Sequence, residues 1–371
     1  IMLKAYQQTQ DPDSENIQFL LKTSTAAPFF AEFGWASADA AQPMPKSDSV
    51  WTASSMVLSP GSPVTLTWEN GNGLTFRRQL SINDDYMITV DDSVESALSA
   101  PLTLFPYGLV RRHGTPATTG IYILHEGALG VFDETLSEED YDDMRDADGG
   151  VSEIRPEMPG GWIGFTDKYW LAALLPDQSA NMNFAFKSLA GPSDRYQVDY
   201  IASEASVLPA GGVVSSQTRL FAGAKKVSLL DGYADELGIA NFDLAIDFGW
   251  FYFLTKPFFY AINWLNSLLG NFGLAVLAFT IVVKLVFFPL ANKSYRSMGK
   301  MRVLSPKIQE IRERHADDRM AMNQAMMALY KEEKVNPAAG CLPVLLQIPV
   351  FFALYKVLFV TIEMRLSLIH I

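Results

Sequence analysis

The chain has 371 residues, 49% hydrophobic and 19% charged, with 29 Lys and Arg against 41 Asp and Glu for a formal net charge of -12. That length gives room for two or three domains, each burying a core. A single cysteine, Cys341, excludes an intrachain disulfide framework and cysteine-cluster metal sites, and four scattered histidines (His113, His125, His315, His370) offer no zinc set, so neither metal nor cofactor is expected. The charge is uneven: residues 1–250 carry 15 basic and 34 acidic side chains, a balance of -19, while 251–371 carry 14 and 7, a balance of +7. An acidic first part joined to a basic, apolar second part points toward a membrane and away from nucleic acid.

From about residue 50 to 230 the apolar pattern has period two. Val64, Leu66 and Trp68 alternate with small polar residues, the turn Glu69 to Gly73 follows, then Leu74, Phe76, Leu80 and Ile82, and after Asn83-Asp84-Asp85 come Tyr86, Ile88 and Val90. Further strands are expected at GIYIL (120–124), YQVDYI (196–201) and QTRLFAG (217–223), separated by Gly, Pro and Asp turns, which predicts a large antiparallel sheet or sandwich. The run DETLSEEDYDDMRDAD (133–148) holds nine acids and one base, Arg145. It offers oxygen ligands to a cation, but it lacks the glycine at the sharp turn of a calcium loop and reads as a solvated surface loop. His125-Glu126 has the composition of an acid/base pair for sugar chemistry; with no second carboxylate placed by sequence, it reads as a strand-end pair.

The stretch 250–269 is long and apolar, yet Lys256-Pro257 interrupts it and Trp, Tyr and Phe fill eight of its first fifteen positions, the signature of an interfacial amphipathic helix. Residues 272–291 carry one charge, Lys284, against thirteen Leu, Ile, Val or Phe. At about -0.4 kcal/mol for each of these and about +3 for the lysine, the segment inserts as a transmembrane helix. Residues 342–362, with fourteen such residues, Gln347 and one charge, Lys356, form a second span. Between them ten Lys and Arg hold the loop on the cytoplasmic side, which puts the acidic domain outside. Met298, Met301, Leu304, Ile308 and Ile311, then Met322, Ala325, Met326, Leu329 and Tyr330, fall at helical spacing on either side of His315-Ala316-Asp317-Asp318, predicting a helical hairpin over 293–335. Its methionine faces either pack on each other or receive partners.

Lys284 lies about 18 Å into its helix, too deep for complete snorkelling, and Thr280 sits one turn earlier on the same face. Both suit a polar groove within the protein, and no phosphate-binding glycine loop accompanies it. Two other readings stay open on the residues alone: a membrane-anchored carbohydrate-active enzyme working through the sandwich, and an ion path built on Lys284 and Lys356.

From residue 247 onward the chain resembles the YidC/Oxa/Alb family of membrane insertases. The blocks are DFGWFYFLTKP (247–257), GNFG (270–273) with TIVVKLVFFPL (280–290), SMGKMRVLSPKIQEIRER (297–314) and MMALYKEEKVNPAAGCLPVLLQIPVFFALY (326–355). Upstream, PGGWIGFTDKYWLAALLPD (159–177) is similar to a motif of the bacterial periplasmic domain. The resemblance implies a multi-domain membrane protein. A periplasmic antiparallel β-supersandwich (1–245) is followed by an α-helical transmembrane insertase core (246–371), incomplete because the N-terminal anchor and three further spans are missing. Residues 366–371, LSLIHI, do not resemble the family continuation and read as a non-native tail. It further implies an inner-membrane protein, without bond chemistry, that inserts nascent membrane proteins alone or with the Sec translocon. Ribosome and lipids would be further partners, with no nucleic-acid binding of its own. Lys284, Thr280 and Gln347 fall on the hydrophilic groove, and the hairpin with Met298, Met301, Met322 and Met326 receives substrate. The bacterial members usually carry Arg where Lys284 stands, and Lys356 takes the place of an uncharged residue.

Overall fold

The computed structural model describes residues 1–365 apart from 8–10, 12, 40, 122, 192, 317, 334 and 336–341. Most of the Val335-Asn336-Pro337 and Gly340-Cys341 motifs, and the segment 366–371, therefore lie outside the described residues. The chain divides into two compact units, 1–247 with 360–362, and 248–359 with the residues after 362.

The strands of the first unit are β1 (Met2–Gln7), β2 (Asn16–Gln18), β3 (Phe29–Ser37), β4 (Thr52–Ala53), β5 (Val64–Glu69), β6 (Leu74–Ile82), β7 (Met87–Ser96), β8 (Leu102–His113), β9 (Gly127–Phe132), β10 (Thr135–Asp140), β11 (Val151–Pro159), β12 (Trp162–Thr166), β13 (Trp170–Leu175), β14 (Asn181–Ser188), β15 (Arg195–Ala202), β16 (Ser206–Leu208) and β17 (Val213–Ala224). Two short helices join them, α1 (Tyr141–Asp146) and α2 (Val227–Leu237). One sheet runs β10-β9-β12-β13-β17-β7-β6-β5-β4; the other runs β11-β14-β15-β8-β16 with β3 also paired to β8. Phe132, Ile163, Phe165, Leu174 and Leu220 of the first sheet meet Phe29, Val110, Phe184, Phe186 and Tyr196 of the second in one core. The Phe132 and Phe184 rings lie 4.9 Å apart. Burying each such side chain contributes about 1.5–3 kcal/mol, so this seam holds the sheets as a sandwich.

The turns follow from their side chains. Asn70 Oδ1 accepts from the amides of Asn72 at 2.7 Å and Leu74 at 2.9 Å, and Asn83 Oδ1 does the same for Asp85 and Met87, pinning the β5–β6 and β6–β7 hairpins. Two expectations are corrected. Among the described residues of 120–124 no strand forms: Gly120 takes a positive φ of 61° and the Leu124 amide donates to Ile121 O at 3.0 Å. The acidic run is not a loop. Asp133 and Glu134 both take left-handed φ, 48° and 60°, in a two-residue hairpin turn that pairs β10 with β9. Asp140 then caps α1 by accepting from the amides of Asp142 and Asp143, which seats Tyr141 and Met144 in the core and leaves the acids outside.

A polar cluster crosses this core. Arg112 donates to Asp167 Oδ1 at 2.7 Å and to the Tyr141 hydroxyl at 3.1 Å, with its guanidinium 4.6 Å from the Phe29 ring centre. Lys225, fully buried, donates to Thr166 Oγ1 at 2.6 Å. Burial lowers its pKa to about 8, against the opposing pull of Asp167, Asp247, Glu126 and Glu138. The unfolded lysine titrates near 10.5, so between pH 8 and 10.5 the unfolded chain holds a proton that the folded one has lost, and stability rises with pH. Above pH 10 the sign reverses, because burial pushes Tyr107 up to about 12 and raises Tyr141 and Tyr200 as well. The melting temperature of the sandwich is expected to climb by a few degrees from pH 8 toward 10 and fall beyond, and Lys225→Met to abolish the climb. A climb that persists in the variant would refute this assignment.

The second unit contains α3 (Tyr252–Leu269), α4 (Phe272–Arg314), α5 (Arg319–Glu332) and α6 (Leu342–Val360). Gly270, with φ 67°, ends α3, and Asn271 caps α4 by accepting from the Leu274 amide at 3.1 Å. The two helices pack antiparallel, with the Phe258 and Phe279 rings 4.8 Å apart. Phe272, Ala275 and Phe279 are the buried stripe of α4 at that end. Trp250, Phe253 and Trp264 stand exposed. The expected span and the first arm of the expected hairpin are one continuous helix of 43 residues, about 65 Å long, with Pro289 and Pro306 inside it. Asp318 caps α5, and Lys307 Nζ pairs with Glu333 Oε1 at 2.7 Å.

Candidate functional site

Among the described residues, α4 and α6 are the two helices long and apolar enough to cross a membrane. Their exposed side chains include Leu277, Ile281, Val282, Leu285, Val286 and Phe288 on α4 and Leu345, Leu346, Ile348, Phe351 and Phe352 on α6. In water such a surface would cost hundreds of square ångströms of unburied apolar area, whereas hydrocarbon accepts it freely.

Lys284 is the exception on α4. Its side chain is exposed and its Nζ stands 5.5 Å from the centre of the Phe351 ring on α6, within cation–π reach. It has no carboxylate partner among the described residues. Thr280, half-buried one turn earlier, spends its hydroxyl on the Val276 carbonyl at 2.8 Å, the back-bond that satisfies a hydroxyl inside an apolar helix. Gln347 is half-buried on α6, one turn before Phe351 and hence on the same face. The structure brings Lys284 of α4 to Phe351 of α6, while Thr280 lies one turn before the lysine on α4 and Gln347 one turn before the ring on α6. Phe351 is the member that sequence reasoning missed.

Lys356, the second charge in the apolar helices, is buried on α6, and its Cε would stand 3.3 Å from a Cβ at Gly249. Gly249 has φ 70° and no side chain, which leaves room for the lysine stem.

In the hairpin Leu304 and Leu329 are buried, while Met301, Met322 and Met326 are half-buried and Met298 is exposed. Met301, Ile308 and Tyr330 line an open cleft of about 900 Å³ whose rim carries Arg302 and Arg312. In the sandwich His125 and Glu126 are both tied to the backbone, as a strand-end pair should be. His125 Nε2 meets Ala128 O at 2.9 Å, and Glu126 accepts from the amides of Thr119 at 2.6 Å and Lys168 at 3.1 Å.

A family model described as the YidC periplasmic domain matches residues 1–261, and one described as 60Kd inner membrane protein matches 264–369. A protein of Beijerinckia indica subsp. indica named Membrane protein insertase YidC is 49% identical over 367 residues, covering 98% of this chain and 60% of its own length. One of the same name from Methylobacterium sp. (strain 4-46) is 51% identical over 372 residues, with 98% and 59% covered. The chain thus spans about three fifths of the length of these curated relatives. Among solved structures, one described as an active YidC insertase with the first transmembrane domain resolved is 20% identical, covering 88% of this chain and 62% of that one at a TM-score of 0.29.

Proposed function

This chain belongs to the YidC family of membrane protein insertases, and on that premise we propose that its second unit inserts nascent membrane proteins through a hydrophilic groove between α4 and α6. The observation that carries the proposal is Lys284: a cation set about 18 Å into an apolar helix, turned to the α6 face and without a carboxylate of its own among the described residues. Such a charge is costly in hydrocarbon unless water or a visiting group solvates it. A hydrated groove lowers the cost of bringing polar stretches of a passenger to that depth, while the apolar flanks of α4 and α6 let its hydrophobic segment pass into lipid. Thr280 and Gln347 extend the polar lining. No bond is made or broken in this scheme, which asks only for differential solvation.

The same reading sets the remaining parts. The sandwich, 1–245, lies in the periplasm and 272–291 and 342–362 cross the inner membrane. The segment 250–269 rides at the outer interface on its Trp and Phe side chains. The hairpin, 293–335, stays in the cytoplasm and receives passengers on Met298, Met301, Met322 and Met326, thioether side chains that adapt to varied apolar sequences. Sec translocon, ribosome and anionic lipid are partners that its basic surface suits.

Lys284→Ala tests the groove. Insertion of a short single-span passenger with one acidic residue, followed by protease protection in vesicles carrying the protein, is expected to fall roughly five-fold, the worth of about 1 kcal/mol. Unchanged insertion would remove Lys284 from the mechanism.

A further inference from the structure

We infer that Phe351 is the positioning residue for Lys284, holding its ammonium accessible in the gap between α4 and α6; this deepens the groove reading and rests on it. A lysine about 10 Å from the cytoplasmic end of its apolar span, 272–291, has a competing place to go, since its long stem lets the ammonium climb toward the headgroups. In the structure it does not climb: Nζ lies 5.5 Å from the Phe351 ring centre. The depths agree, because Phe351 stands nine residues, about 14 Å, into α6 from the same side. An aromatic face attracts a cation through its quadrupole, yet it carries no net charge and cannot neutralise it. The ammonium is therefore held in the gap between the helices with its charge unspent. A carboxylate at this position would hold it as well but would quench it. Phe351 is itself exposed, so the ammonium remains accessible while the ring anchors it. A passenger carboxylate reaching the gap gains a charge-assisted hydrogen bond that displaces only the weaker ring contact.

The test is a double-mutant cycle read on two passengers, one with a single Asp ahead of its apolar segment and one with Asn there, in vesicles carrying the protein. Phe351→Leu, which keeps apolar bulk but loses the ring, is expected to lower insertion of the Asp passenger roughly 2- to 10-fold and leave the Asn passenger unchanged. Phe351→Tyr and Phe351→Trp should retain most activity. Mono-, di- and trifluorinated phenylalanine at 351, which keep the shape and drain the ring's negative face, should lower Asp-passenger insertion stepwise. In a Lys284→Ala background Phe351→Leu should add nothing, because it acts through the lysine. Equal losses for both passengers, additive losses in the double variant, or indifference to fluorination would overturn the inference. If Lys284→Ala is itself without effect, the groove reading fails. If Lys284→Ala is defective while Phe351→Leu is not, only the positioning by Phe351 fails.

Discussion

Arg112→Met is expected to destabilise the sandwich by roughly 3–4 kcal/mol, because it strands a carboxylate inside the domain. Arg112 joins β8 to the β12–β13 turn, its side chain 16% and that of Asp167 19% exposed, and it also donates to Tyr141 and packs on Phe29. Methionine restores part of the packing on Phe29 but donates to neither partner. For a unit of this size each kilocalorie lowers the melting temperature by about 2–4 °C, so a fall of roughly 6–16 °C is expected in thermal melts of the full chain in detergent. Adding Asp167→Asn should recover part of the loss, since the uncompensated charge then disappears. A drop of less than about 1 kcal/mol from Arg112→Met would show that solvent reaches Asp167 and that the ion pair contributes as weakly as a surface one.

Gly161→Ala is expected to cost still more for its size, roughly 3–5 kcal/mol from a single methyl group. Gly161 has φ 93°, where an L-residue is strained, and a Cβ there would lie 2.4 Å from the Val131 carbonyl oxygen on the neighbouring strand. That oxygen is backbone of β9, which is paired on both sides, with β10 and with β12 through Val131 and Trp162, so relief requires moving an interior strand of the sheet. Gly71→Ala provides the contrast. Its φ of 73° imposes similar backbone strain, but nothing stands within 4 Å of its Cβ, and a loss of about 1 kcal/mol is expected. Comparable denaturation midpoints for the two variants would refute the steric argument.

Period-two alternation located β5, β6, β7, β15 and β17 because each has one polar and one apolar side over much of its length. It failed for β12 and β13, whose side chains are nearly all buried on both faces, so that their sequences WIGFT and WLAALL show no alternation to read. The acidic run misled for a related reason: twelve polar or charged residues conceal Tyr141 and Met144, and two buried side chains outweigh exposed acids in deciding whether a segment folds onto a core. In the helical unit the apolar runs and the lone charge of Lys284 were visible at once, since a single lysine in such a stretch has few innocent explanations. Phe351 was invisible because its role depends on how α6 is rotated against α4, and neither hydropathy nor spacing within one helix carries that angle. The Arg112–Asp167–Lys225 neighbourhood was equally hidden, although Asp167-Lys168 in the middle of an otherwise apolar motif, GWIGFTDKYWLAALL, was the signal that polar groups were being carried inward.

The uninterrupted run of α4 makes it a lever. Its thirty residues from Lys284 to Arg314 span about 45 Å, so a swing of about 10° at the far end corresponds to a sideways travel of about 8 Å there and almost none at the lysine. Pro289 lies five residues from Lys284, and as a residue that removes a helix hydrogen bond it marks where such a bend would cost least. Any load on the arm that carries Met298 and Met301 would therefore act with mechanical advantage on the short end that carries Lys284.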